Sequence, residues 1–143
     1  MHEGQPDFSK DFDKLRGDVG DERMLVPEVS VKQLENLCNG NEHLVELLQG
    51  TLEQCARYTE DVTRFLQVEA MGKEAKESGE FYEIDTKRTR THNATIDSIN
   101  ILARELSRCG RDGSWVKKFA GNRVAYMRFA LRLTFNRMQP QEK

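Results

Sequence analysis

From residue 31 onward, apolar side chains recur in alternating steps of three and four: Val31, Leu34, Cys38, then Val45, Leu48, Leu52, Cys55, Val62 and Leu66. That spacing holds one stripe on one side of a helix with 3.6 residues per turn. A strand would need alternation by two, and no such segment of useful length occurs. The same steps return at Ile96, Ile99, Ala103 and Leu106. The pattern predicts an all-α fold, a bundle-like arrangement of three to four main helices. At 143 residues the chain is long enough to bury one real core and short enough to be one domain.

Local signals divide the stripe. Ser30, three residues before Gln33, reads as a capping box, and Asn39-Gly40-Asn41 supplies a stop followed by a start. Two helices are expected, about 30–38 and 41–71, with the seam keeping phase across the break. Gly50, inside the second, is read as a place of close helix approach. Residues 73–85 are polar and read as a loop or frayed end; a third helix should run from about Asp85 to Arg108, stopped by Cys109-Gly110. Arg111-Asp112-Gly113 makes a turn, Ser114 can cap the next segment, and Trp115 to Phe119 leads into a last helix at about 122–138. Residues 1–27, rich in Asp and Gly, read as a flexible, mostly disordered acidic tail, with 28–143 as the single helical domain.

Composition narrows the setting. No apolar run approaches the roughly 18 residues that span a bilayer, and the first residues lack an apolar leader segment. Cys38, Cys55 and Cys109 form no C-x-x-C and are odd in number, so they read as buried free thiols. A cytoplasmic protein without membrane contact is expected. The net charge of −2 hides an asymmetry: residues 31–85 hold twelve acids and five bases, residues 86–143 thirteen bases and four acids. Either the halves pair within the fold or the basic half faces an anionic partner.

The most suggestive stretch is KRTRTHNATIDSIN, 87–100. Helical steps put His92 in register with Ile96, Ile99, Ala103 and Leu106, on the core-facing side. Asn93, Asp97, Asn100 and Arg104 follow on a neighbouring face. These five are expected to form a structural polar network that fixes helix register. The sharper alternative is catalytic: His92 as general acid or base and Arg88 steadying phosphate charge in metal-independent RNA cleavage. Helical nucleases of the HEPN type set an Arg four to six residues before a His; here Arg88-x3-His92 is one residue short, and Lys87-x4-His92 keeps the interval. A phosphotransfer histidine would want a Lys-Gly pair after it, where Asn93-Ala94 stands. No metal site and no cofactor are expected: there is no Glu-x-x-His pair, no second zinc ligand pair beside Cys38 and His43, and no Gly-rich phosphate loop.

The C-terminal segment 121–139 carries two apolar stripes. Val124, Met127, Leu131, Phe135 and Met138 make one; Tyr126, Phe129 and Leu133 make the other. A helix with two stripes needs cover on two sides. The second stripe, Tyr126, Phe129 and Leu133, is assigned to a homodimer interface. The arginines of this segment can pair with the acidic helix 41–71. Alternatively Arg88, Arg90, Lys117, Lys118, Arg128 and Arg132 form a nucleic-acid-binding set.

Over residues 86–110 the chain resembles a family of short helical cytoplasmic proteins of Gram-positive bacteria and their mobile elements, catalogued as a domain of unknown function. The matching positions are Arg88, Arg90, His92, Asn93, Ile96, Asn100 and Leu102; the family's Leu-Asn-Arg close reads Leu102-Ala103-Arg104 here. The resemblance implies a helical fold and no particular activity. The expectation is a non-enzymatic cytoplasmic protein acting through a protein interface as a homodimer. A nucleic-acid-binding regulator stands second, and an RNase centred on His92 third.

Overall fold

The computed structural model describes residues 26–77 and 79–138, and among them all regular structure is helical. Helix α1 is Val31–Cys38, α2 is Glu42–Glu69, α3 is the single turn Lys73–Lys76, and α4 is Gly79–Arg108. A 3₁₀ segment, Ser114–Phe119, leads into α5, Arg123–Met138. No helix among the described residues is long and apolar enough to cross a membrane. The expected tail lies outside the described residues as far as residue 25. Its last two residues belong to the body: Pro27 is buried and Val26 packs on the core.

The predicted caps start the helices. Ser30 accepts from the Gln33 amide at 3.1 Å while Gln33 accepts from the Ser30 amide at 2.8 Å. Asn41 caps α2 through the Leu44 amide at 3.1 Å. Such caps are worth about 1 kcal/mol each. The break at 39–41 also resets the phase of the seam: Leu44 is fully buried and Val45 is 37% exposed. The α2 core face is therefore Leu44, Leu48, Leu52, Cys55, Tyr58 and Val62.

Helices α2 and α4 form an antiparallel pair. Contacts between His43 and Glu105, Thr51 and Ser98, Gln54 and Thr95, and Asp61 and Lys87 mark its rungs. Helix α4 begins six residues before the expected Asp85. The reason is packing that periodicity alone did not reveal: Phe81 meets Phe65 with ring centroids 5.3 Å apart, and Ile84 is buried. At its other end α4 stops where expected. The Gly110 amide reaches the Ser107 carbonyl (3.0 Å) and the Arg111 amide that of Leu106 (2.8 Å), with Gly110 at φ +78°. This paired closure is the left-handed glycine cap. The Arg111 guanidinium then bonds the Leu37 and Asn39 carbonyls at 2.8 and 2.7 Å, tying the end of α1 to the same corner.

Helix α5 starts over α4 and finishes over α2. Tyr126 donates to Asn100 Oδ1 at 2.6 Å, and the Thr59 and Thr134 hydroxyls meet at 3.1 Å. The homodimer surface assigned to Tyr126, Phe129 and Leu133 is corrected here, because these residues are 7%, 1% and 0% exposed within one chain. The 3₁₀ segment folds back beneath them. Phe119 stacks on Tyr126 at 4.0 Å and meets Phe129 edge-on at 5.2 Å, and Trp115 stacks on Phe129 at 5.8 Å. The chain covers its own second stripe.

Three smaller expectations change. Cys109 is exposed, unlike Cys38 and Cys55. Asp112, not Ser114, closes the turn, accepting from the Ser114 amide and hydroxyl at 2.9 and 2.6 Å. Gly50 is exposed, and a Cβ there would meet nothing within 4 Å. The close approach is instead at Gly113, where a Cβ would sit 2.1 Å from the Ala103 carbonyl oxygen.

Two substitutions test this packing by thermal or urea unfolding. Gly113→Ala must displace backbone and is expected to destabilise by about 2 kcal/mol or more. Ala120, exposed and left-handed at φ 49°, should behave oppositely: Ala120→Gly is expected to stabilise by about 1 kcal/mol.

Candidate functional site

The stretch 87–100 is the middle of α4, where it meets both α2 and the start of α5. Two of its charges, Lys87 and Arg88, meet neighbours. Lys87 reaches Asp61 of α2 at 3.8 Å. Arg88 is three-quarters buried, bonded to Asp85 at 2.5 Å, with its guanidinium 4.4 Å from the Phe65 ring centre. Contacts of this kind are worth about 0.5–1 kcal/mol at exposed sites and more where water is excluded. Arg90 is exposed.

His92 is half-buried rather than enclosed in the core, and lies edge-on to Tyr58 with ring centroids 6.1 Å apart. Arg123, from the first residue of α5, places Nη2 2.5 Å from Asn93 Oδ1 and 3.2 Å from His92 Nδ1. Guanidinium only donates, so Asn93 Oδ1 must accept from it. The same oxygen lies 3.0 Å from His92 Nδ1, which fits a proton on Nδ1 donated to it. Nε2 then carries the lone pair. Burial pushes the His92 pKa below the usual histidine range, and the positive Arg123 and Arg88 push the same way against the Asn93 bond. The balance favours the neutral imidazole.

The expected network of His92, Asn93, Asp97, Asn100 and Arg104 thus divides. Asn93 joins Arg123, with His92 bonded to the same Asn93 oxygen, and Asn100 joins Tyr126, so α4 is linked to α5 at two points. Asp97 and Arg104 stand exposed on the solvent side, with no side-chain bond among the described residues. Sequence reasoning missed Arg123 and Tyr58, since neither shares a helix with His92 and periodicity reports neighbours only along one helix.

The proposed nucleic-acid set divides as well. Arg132 donates to the Pro27 carbonyl and lies 5.6 Å from the Phe129 ring centre. Burial depresses its pKa, Glu28 opposing and Arg128 adding to the effect. Arg128 is half-buried and engaged. Arg90, Lys117 and Lys118 are exposed. Where the acid-rich α2 meets the basic half, the ion pairs among the described residues are Asp61 with Lys87 and His43 with Glu105.

Chemically the cluster is a helix clamp with one free imidazole nitrogen. A depression of about 420 Å³ lies elsewhere, at the start of α2, lined by Gly40, Asn41, Glu42, Val45 and Glu46. It holds none of the candidate residues. Among the described residues no three His, Cys, Asp or Glu side chains are grouped to hold a metal ion. Cys55 is unsuited to nucleophilic work at neutral pH, because burial, opposed weakly by Arg137, pushes its thiol up to about 12.

Proton NMR against pH tests the clamp. His92 should titrate below the ordinary value of 6.5, and Arg123→Met should move it upward. With the folded pKa depressed, the unfolded chain binds the extra proton. Stability should therefore be unaffected above pH 6.5 and fall as pH drops from there through the folded pKa. His92→Gln should flatten that slope. No family model, curated protein or solved structure matches this chain.

Proposed function

We propose that this protein is a non-enzymatic helical module that acts through a protein interface on the charged outer faces of α2 and α4. The observation that carries this reading is how the suggestive residues are used. Arg88, His92, Asn93 and Asn100 all engage side chains of this chain, and the depression at the start of α2 does not reach them. By contrast, Glu42, Glu46, Glu53 and Glu60 of α2 and Arg90, Arg104 and Arg108 of α4 stand exposed in two stripes of opposite sign. Charged surfaces of that kind steer and select partners more than they drive tight binding. The likeness of residues 86–110 to short helical bacterial proteins is part of this proposal, because it falls on the helix that bears one of the stripes.

A nucleic-acid-binding reading is favoured by one observation, the exposure of Arg90, Lys117 and Lys118. It ranks second because Arg88, Arg128 and Arg132 are turned to the protein itself.

The test is a gel series with labelled single-stranded RNA and duplex DNA at low and high salt, read for shift and cleavage. Neither is expected. A salt-sensitive shift weakened by Lys117→Ala with Lys118→Ala would promote the second reading. Cleavage lost in His92→Ala, with an unchanged melting temperature, would overturn the non-enzymatic one.

A further inference from the structure

We propose that the outer face of the α2–α4 pair docks on the same face of a second copy of this chain, α2 of each lying over the partner's α4. This names the partner within the protein-interface reading above and rests on it.

The rungs between α2 and α4, with Tyr58 beside His92, fix which residues lie at equal height. In that register Glu42 is level with Arg108, Glu46 with Arg104 and Glu60 with Arg90. All six are exposed. Along each helix they are four or fourteen residues apart, whole numbers of near-turns that keep them on a single solvent stripe.

Two copies can stack these faces about a two-fold axis in one of two ways. An axis across the helices would lay acidic stripe on acidic stripe. An axis parallel to the helices lays α2 over the partner's α4 with heights preserved, so each of those glutamates meets an arginine. Two exceptions in sign at the middle of the face are accommodated too, while Arg64 of α2 and Glu83 of α4, also exposed and of opposite sign, lie towards one end. Arg57 on the acidic helix and Asp97 on the basic one are exposed, and their heights differ by about 8 Å at 1.5 Å per residue, within reach of an arginine. Glu53 and Asp97 fall at nearly the same height, and Arg57 stands one turn away to screen them.

Shape agrees at the centre of the face. Ile101, 37% exposed, lies among the basic stripe, about 3 Å in height from Gly50 on the acidic helix. A Cβ at Gly50 would meet nothing within 4 Å, so the outer surface there is bare backbone. The partner's Ile101 fits over that gap, which supplies the close approach that one chain lacks. The area is also sufficient. Helices of 28 and 30 residues are about 40 Å long and together about 20 Å wide, or about 800 Å² per copy. Stable dimers bury about that much per partner.

Sedimentation equilibrium of the full chain tests this. At low salt the mass should be twice the monomer's 16.5 kDa, shifting towards monomer as salt rises. Gly50→Gln gains helix propensity and fills no space inside the monomer, so it should fold fully yet weaken the dimer about tenfold or more. Glu46→Arg alone, or Arg104→Glu alone, should weaken it about a hundredfold through like-charge contact. Mixing those two chains should restore a dimer, since both contacts then pair opposite charges. A wild-type chain that stays monomeric overturns the second copy as partner and leaves the broader reading to the nucleic-acid gels. A dimer indifferent to Gly50→Gln and both charge reversals overturns its placement on this face.

Discussion

Helix α5 carries apolar side chains on two sides at once. Ala125, Tyr126, Met127, Phe129, Ala130, Leu131 and Leu133 are all buried, and they point in more directions than one neighbour can cover. A helix apolar on two sides must be covered on both. The enclosure accounts for much of the rest. The α2–α4 pair closes one side, and the aromatic lead-in of Trp115 and Phe119 closes another. The Gly113 turn, set against the Ala103 carbonyl, lets that lead-in double back close enough to stack. Pro27 completes the cover through its carbonyl bond to Arg132.

Polar groups near α5 are organised by the same closure. Tyr126 brings a hydroxyl to the rim, and Asn100 receives it. Arg123 opens the helix at the edge of α4, where the Asn93 oxygen takes its guanidinium and burial lowers the pKa of the neighbouring imidazole. Thr59 and Thr134 meet deep in the interface, each also close to a carbonyl of its own helix. Buried polar atoms cost less when paired in this manner than when stranded, and paired atoms fix one alignment among several. A histidine, an asparagine and several arginines on one stretch read as chemistry in a linear string. In three dimensions they are mostly fasteners between α4 and its neighbours.

How much of this was legible depended on the range of the signal. Capping is encoded within three residues, so Ser30, Asn41 and the Gly110 stop could be read directly. Helix class and the bounds of α2 and α5 came from long periodic runs. The early start of α4 was hidden because Phe81 and Ile84 stand in a polar context and gain their helix from contact with α2. The phase shift at Leu44 was hidden because a one-residue slip leaves the spacing of threes and fours intact. The misreading of Tyr126, Phe129 and Leu133 was of another kind. Two apolar stripes correctly demanded two covers, but a six-residue 3₁₀ segment is too short to announce itself as one. Similarly, His92 and Asn93 were singled out while Arg123 was not, because thirty residues separate the partners of that bond.

The contact between Pro27 and Arg132 joins positions 105 apart, nearly the whole described chain. Loop closure over such a span is entropically costly, whereas the α2–α4 hairpin needs only a short connection. On a ribosome, the hairpin would emerge with its apolar face bare until α5 is made. The segment before α1 would then wait for that last helix. That order of closure would make the two ends of the domain the final pieces to meet.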